Sequence, residues 1–446
     1  MNINIPSYVE KIMNIINENN KEAYIVGGCV RDSLLGSIPQ DWDVTTNMLP
    51  KELKKALSGY KIVNKNGEKH GTVTVISDKK EVEITTYRSD SNYPDGRHPE
   101  KIRFVTSLEE DLKRRDFTIN ALAYNKEKGL IDFVGGKKDI ENKKIRCVGD
   151  PSKRFEEDYL RMLRALRFSS KLGFEIEKKD IEIMHLLKDK LDFISKERIK
   201  KELEGILTGK DVFKVLIEFK EIFGVIIPEL LECFDFDQKS KYHKHDVYTH
   251  ICHVVSNTKP DFITRTSALL HDIGKPLSYT EENNNGKIIR HFKGHVEVSA
   301  DLTKIILKRL KFSNDETKQV LFLVSHHDDY IDENKKTIKR ILNRIPSQSL
   351  ELFNRLIDLK KADRLDHVIF KKEPDLEKIR LLALEIIEKN ECLDVKDLKV
   401  NGNDMIELGF KGREIKFVLN ELLNLVINGE VVNEKKALIE KAKTVK

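Results

Sequence analysis

Two carboxylates, Asp41 and Asp43, close a stretch of seventeen residues that opens with Gly27-Gly28. On a strand, side chains two apart leave the same face, about 6.5 to 7 Å apart along the chain, so these two can jointly hold Mg²⁺ while Trp42 turns toward the core. Paired carboxylates bearing Mg²⁺ suit in-line nucleotidyl transfer, where metal ions activate an attacking hydroxyl and stabilise the leaving pyrophosphate. Two glycines between a strand and a helix start let the backbone approach a phosphate at free N–H donors. Taken singly, a Gly-Gly pair marks a tight turn and Asp-x-Asp a solvated one; their succession is what carries the reading. Glu83, on a strand in the same region, is a third carboxylate and is read as structural.

A second concentration of chemistry lies further on, where nine of the thirteen histidines fall between His243 and His327. His271-Asp272 follows an apolar helix, Phe262 to Leu270, and His250 precedes it on another helical segment. Imidazole and carboxylate ligands gathered from several helices around a metal-bound water make a phosphoester hydrolase. His295 and His326 are the expected ligands of a second metal, and His253, one turn from His250, is read as a satisfied polar group.

The elements that must position these residues differ along the chain. At 446 residues it exceeds one hydrophobic core, and several domains are expected. Residues 1 to 150 read as mixed α/β: an amphipathic helix from Tyr8 to Ile16, a strand from Ala23 to Val26, a helix ending near Gly36, then strands Trp42 to Thr46, Thr72 to Ile76 and Val82 to Thr86. The last two flank the turn Ser77-Asp78-Lys79-Lys80. After Pro151 helical periodicity dominates. The breaks at Gly149-Asp150-Pro151, Asp235 to Lys241 and Lys371 to Pro374 divide the chain into segments 1–150, 151–235, 236–370 and 371–446. Lys and Arg exceed Asp and Glu by only 80 to 74, so an RNA-binding face must come from local clustering. Five scattered cysteines without a CxxC pair disfavour a disulfide scaffold or zinc knuckle and fit reduced cytoplasm. No leader-like N-terminus and no apolar run of membrane-spanning length is read in the chain.

Gly27-Gly-x-Val-Arg-Asp-x-Leu-Leu-Gly36 with Asp41-x-Asp43 resembles the first motif of class II tRNA nucleotidyltransferases and bacterial poly(A) polymerases. Arg114-Arg115-Asp116-Phe117-Thr118-Ile119-Asn120 resembles their second, Asp132 to Ile140 with Gly135-Gly136 their third, Glu157-Asp158-Tyr159-Leu160-Arg161 through Phe168 their fourth, and Glu197-Arg198-Ile199-Lys200-Lys201-Glu202-Leu203 their fifth. Lys200 stands where Arg is usual. His250, His271-Asp272 and Asp363 reproduce the HD superfamily pattern. Asn401-Gly402-x-Asp404-Met405, Leu408-Gly409 and Asn433 resemble the C-terminal segment of HD-bearing tRNA nucleotidyltransferases, which favours these over poly(A) polymerases.

The resemblance implies an α+β chain: a polymerase β-like nucleotidyltransferase head with a mixed sheet, followed by all-α neck, HD and tail domains. It implies template-independent addition of CTP and ATP to the tRNA 3′ end, with Mg²⁺ on Asp41 and Asp43. Gly28 and Arg31 would contact the triphosphate and Arg115 the nucleotide. Asp158 and Arg161 would read the base edge, with Arg164 and Arg167 nearby. Each helical step of three slips back about 60°, so these four are expected to form a winding row, with Tyr159, Met162, Leu163 and Leu166 as the apolar stripe that anchors it. Asp accepts from an exocyclic amine and Arg donates to ring acceptors, a pattern that C and A share. The HD segment implies a second divalent metal (Ni, Mn, Co or Mg) and 2′,3′-cyclic phosphodiesterase or phosphatase activity on RNA ends. Arg88 to Arg103, with Tyr93-Pro94-Asp95-Gly96, reads as a mobile basic loop; in the family a loop here accompanies addition of the terminal A. The alternatives are a poly(A) polymerase, an enzyme adding part of CCA, a non-catalytic RNA-binding protein, and a chain whose principal activity is the HD hydrolase.

Overall fold

The computed structural model describes residues 2–63, 71–91, 101–240, 242–368 and 374–445, and the chain divides into two compact units, Met1–Pro228 and Glu229–Lys446.

In the first unit, helix α1 (Ser7–Glu18) buries Tyr8, Val9, Ile12, Met13 and Ile16, the stripe its apolar spacing dictates. A seven-stranded sheet follows: β1 (Ala23–Val26), β2 (Asp43–Thr46), β3 (Lys61–Val63), β4 (Thr72–Ser77), β5 (Lys80–Thr86), and two later strands, with β6 (Arg88–Ser91) and β7 (Lys101–Phe104) forming a separate antiparallel pair. The later two are β8 (Leu122–Asn125) and β9 (Gly129–Asp132), and the sheet order is β3-β4-β5-β2-β1-β8-β9. Asp78 and Lys79, both at positive φ, make the two-residue turn that joins β4 to β5. The mixed character of the sheet lies in β2, which runs antiparallel to β1 and parallel to β5. Helix α2 (Gly28–Leu34) leaves β1 directly. Tyr24, Val26, Tyr87, Leu112 and Ala123 form a buried cluster on this sheet. Residues 92–100, with Tyr93-Pro94-Asp95-Gly96, lie outside the described residues.

Helices complete this unit. Pro151, suited to a first helical position, opens α3 (Pro151–Glu157). Next come α4 (Leu160–Leu172), which buries Met162, Leu163 and Leu166, and α5 (Lys196–Leu207), packed along it. Tyr159 is only partly buried and stands at the N-cap of α4.

The second unit contains α6 (Val247–Asn257), α7 (Phe262–Leu270), α8 (His295–Arg309), α9 (Asn314–His326) and α10 (Leu350–Leu365). Helix α7 spans the apolar run expected of it. The helical texture did not foreshadow an exposed hairpin, β10 (Thr280–Asn284) and β11 (Lys287–His291), turning at Asn285-Gly286 with both residues at positive φ. Asn-Gly is a strong local hairpin signal, and it outweighs the surrounding helical pattern. Near the C-terminus Met405, Leu422 and Leu438 share a buried cluster. There Asn401 caps a helix in a reciprocal box with Asp404, and Asn433 bridges Lys399 N and Asp397 O at 2.9 Å each. These motif residues therefore do local structural work.

All five cysteines are buried and free. Among the described residues no helix is long and apolar enough to cross a membrane.

Candidate functional site

Asp43 opens β2 opposite Glu83 of β5 in their parallel register. Asp41 does not share the strand: it is exposed in the bend before it, and Trp42 between them is buried at 5% exposure. Burial above all, then Glu83 and Asp41, raises the Asp43 carboxyl to about 6 against the lowering effect of Arg115. Three neighbouring carboxylates, one pushed toward its neutral form by burial and by the other two, are a set that a divalent cation fits.

Gly27 connects β1 to α2 at φ 80°, ψ −129°, backbone that favours glycine. A Cβ there would sit 3.2 Å from Arg115 Nη1, and one on Gly28 would sit 3.6 Å from Arg31 Nη2. Two guanidinium groups thus flank the turn. Buried Arg31 donates from Nη1 to Asn120 Oδ1 at 2.6 Å and from Nε to Asp32 Oδ1 at 2.8 Å. Asn120 donates to Asp116 Oδ1 at 3.2 Å, and Asp116 Oδ2 accepts from Arg164 Nε and Nη2 at 2.8 and 2.6 Å. Burial opposes ionisation of Asp116, but the Arg164 guanidinium outweighs it and holds the carboxyl well below the usual range. Arg115 reaches Asp111 at 3.4 Å through Nη2, while its buried Nε has no hydrogen-bond partner among the described residues. A buried unpaired donor beside the carboxylates marks a place for an acceptor from a ligand.

The fourth motif departs from the expected helical row. Asp158 has extended backbone (φ −153°, ψ 103°) between α3 and α4, so it is off the helix that carries Arg161. The peptide N–H of Leu160 bonds to Asp158 Oδ1 at 3.1 Å, a local side-chain acceptor that competes with helical backbone. Each charged residue then finds a separate partner. Asp158 Oδ2 accepts from Arg198 Nη2 at 2.6 Å, Arg161 Nη1 donates to Glu157 at 2.5 Å, and Arg167 Nε donates to buried Glu202 at 2.6 Å. Arg31, Arg164 and Arg167 lie 5.1, 5.5 and 4.3 Å from the Phe168 ring centroid, which draws α2 and α4 together by cation–π contact.

Asp116, Asn120, Arg198 and Glu202 stand within the sequence motifs, but their place in the site emerges only from the fold. The available signal was charge complementarity: Arg198 and Glu202, four apart on α5, face the acid and base of the fourth motif. The third motif is a brace. Asp132 Oδ1 accepts from the peptide N–H groups of Val134, Gly135 and Gly136 at 3.1, 2.8 and 3.0 Å. A Cβ on Gly136 would fall 2.1 Å from Thr118 O, so the motif presses directly on the second one.

In the second unit the predicted ligands converge. His250 Nε2 lies 3.2 Å from both Asp272 Oδ2 and Asp363 Oδ1, and His271 Nε2 lies 3.2 Å from Asp272 Oδ2. Both nitrogens are buried and lack a well-directed hydrogen bond. Burial works against a charged His250, yet Asp272, Asp363 and Asp366 raise it to about 10. Surroundings that favour an imidazolium there also accommodate the charge of a dication. Asp272, His295 and His327 form a second possible ligand group that shares Asp272. This corrects the expectation of His326, whose Nδ1 is 2.8 Å from Asp329 Oδ2 instead. His327 follows Val320, Leu323 and Val324 at helical spacing and so falls on the buried face. A cavity of about 1130 Å³ opens over these groups, lined also by Lys239, Lys275, Lys287, Arg290 and Lys293.

Residues 23–146 match the poly A polymerase head domain family, and residues 249–367 the HD domain family. The chain is 33% identical to a CCA-adding enzyme of Ligilactobacillus salivarius over 99% of this chain and 97% of that one. It is 30% identical to a CCA-adding enzyme of Bacillus subtilis, covering 97% and 96%. The crystal structure of Bacillus stearothermophilus CCA-adding enzyme in complex with CTP superposes with a TM-score of 0.75 at 26% identity, covering 98% of this chain and 96% of that one.

Proposed function

The chain belongs to the family of CCA-adding enzymes, and from that membership we propose its reaction: template-independent addition of CTP and ATP to the 3′ end of tRNA, in the cytoplasm. The observation that carries the reading is the meeting of Asp43, Glu83 and Arg115 beside the Gly27-Gly28 turn, where the acids lie near a guanidinium whose buried Nε is without a hydrogen bond among the described residues.

Asp41 and Asp43 would hold Mg²⁺, with Glu83 adding negative charge beside them. Bound there, the ion supplies activation of the attacking 3′-OH and neutralisation of the departing pyrophosphate. Arg31 and Arg115 bind the triphosphate, and the tie from Arg31 through Asn120 and Asp116 to Arg164 keeps the phosphate-binding and base-reading sides in one alignment. Asp158, at the junction before α4, accepts from the amine of C or A, and Arg161, in the first turn, donates to the ring acceptor beside it. Arg164 and Arg167 steady this edge.

The test is to offer tRNA lacking CCA, tRNA ending in CC, and an unstructured oligoribonucleotide, each with CTP and ATP, and to sequence the products. Completion of CCA on the first two substrates supports the reading. An A tail on the oligoribonucleotide indicates a poly(A) polymerase, and a product stopping at CC indicates a partial adder.

A second reading, hydrolysis of cyclic or terminal phosphates on RNA ends, is favoured by the two ligand groups that share Asp272 beneath a lysine- and arginine-lined cavity. His250, His271, Asp272 and Asp363 would hold one divalent ion, and Asp272, His295 and His327 another. Bound metal supplies an activated water. The cavity's cations bind the phosphate.

A further inference from the structure

The geometry points to another divalent-cation site in the second unit, formed by His245, His253 and Asp366 and distinct from the two ligand groups that share Asp272. One donor atom from each of the three lies within 4.8 Å of the others. His245 stands in the bend before α6, His253 on that helix, and Asp366 just beyond the end of α10. Three segments thus bring their donors to one point. The imidazole rings of His245 and His253 stack with centroids 4.6 Å apart at 29°. Both side chains are half-buried, which leaves an ion a path to them, whereas Asp366 is 7% exposed.

Asp366 sets this cluster apart from a chance meeting of polar groups. Its Oδ2 is 2.8 Å from His250 Nδ1, and its Oδ1 is 3.7 Å from His245 Nε2. The carboxylate is therefore shared: one oxygen orients His250, and the other faces the histidine pair. Two imidazoles and one carboxylate suit Zn²⁺, Co²⁺ or Ni²⁺ better than Mg²⁺, which prefers all-oxygen ligation. A carboxylate that orients a ligating histidine tunes that ligand's basicity. An ion on Oδ1 makes Oδ2 a poorer acceptor for His250, so occupancy of this site bears on the neighbouring centre.

The test counts ions and assumes neither reaction. The full chain is stripped with a chelator, dialysed to equilibrium against Co²⁺, and its bound metal is counted per chain by mass spectrometry. His253→Ala and His245→Ala should each bind one equivalent fewer than the unaltered chain, while His271→Ala retains the equivalent that they lose. Cobalt's visible absorption should lose an imidazole-ligated component in the same two variants. Circular dichroism checks folding, and if His253→Ala does not fold, the same count on His245→Gln decides. Equal metal content in the unaltered chain and the folded variants overturns the proposal, as does loss of all bound metal from His271→Ala.

Discussion

Asp158 Oδ2 accepts a hydrogen bond from Arg198 Nη2 at 2.6 Å, which ties the junction before α4 to the flank of α5. Arg198 thereby fixes an acceptor whose own backbone is extended and outside the helix, and its buried Nη1 has no partner among the described residues. Arg198→Ala should loosen that acceptor and resemble Asp158→Ala and Arg161→Ala: lower CTP and ATP incorporation, with a larger share of UTP or GTP. A well-placed pair is worth about 1–3 kcal/mol of discrimination, so the shift should be roughly 5- to 150-fold. Arg167→Ala, which releases Glu202, should change rate or RNA affinity more than base choice. Competition among four nucleotides on a tRNA lacking CCA, scored by product sequence, decides. Unchanged ratios in all three of the first variants would place base selection elsewhere.

Asp41→Ala and Asp43→Ala should each reduce nucleotide addition by about a thousandfold or more, because a catalytic metal contributes several kcal/mol to transition-state stabilisation. Glu83→Gln, next to Asp43 across the strand pair, should cost about tenfold, or roughly 1.4 kcal/mol. Binding of tRNA, followed by gel shift, should persist in all three. Turnover within tenfold of the unaltered chain in Asp43→Ala contradicts the assignment.

The Asp116–Arg164 pair should be visible in acid stability. The folded carboxyl is held below its ordinary range, so its contribution is complete above about pH 4, the unfolded value, and is lost as pH falls further. Asp116→Asn should destabilise the chain by about 2 kcal/mol at pH 7, and the gap to the unaltered protein should narrow toward pH 3. Urea titrations across this range measure it. A gap independent of pH means that the effect is steric.

The Asp41, Asp43 and Glu83 carboxylates lie in the first compact unit and the ligand groups that share Asp272 in the second. His271→Ala combined with Asp272→Ala should abolish any RNA phosphohydrolase activity and leave CTP incorporation within about twofold, a change of roughly 0.4 kcal/mol. Assays on 2′,3′-cyclic and terminal phosphates, with several divalent metals, check this beside a nucleotide-addition control. If the unaltered chain hydrolyses none of them, the ligand cluster is structural.

The local elements were legible in the sequence because they rest on preferences acting over a few residues. The Phe262–Leu270 helix, the Ala23–Val26 strand and the turn after Ser77 follow from apolar run length, strand-forming residues and a polar reversal. The hairpin at Asn285-Gly286 was equally readable, but the helical texture around it concealed a strong local signal. The spacing of His327 after Val320, Leu323 and Val324 likewise offered a reason to choose it over His326.

Partner choice was not legible in this way. Nothing near Asp158 specifies Arg198, forty residues on, and nothing near Asp43 specifies Glu83; the packing of α4 on α5 and the parallel register of β2 with β5 decide these meetings. Short-range dihedral and periodicity preferences determined which segments became helix or strand and which residue types were available for chemistry. Strand register alone set the like-charged Asp43 and Glu83 side by side, whereas burial decided the ion pairs: a charge withdrawn from water, as in Asp116 with Arg164 or Glu202 with Arg167, must find its counter-charge wherever the packed chain supplies one.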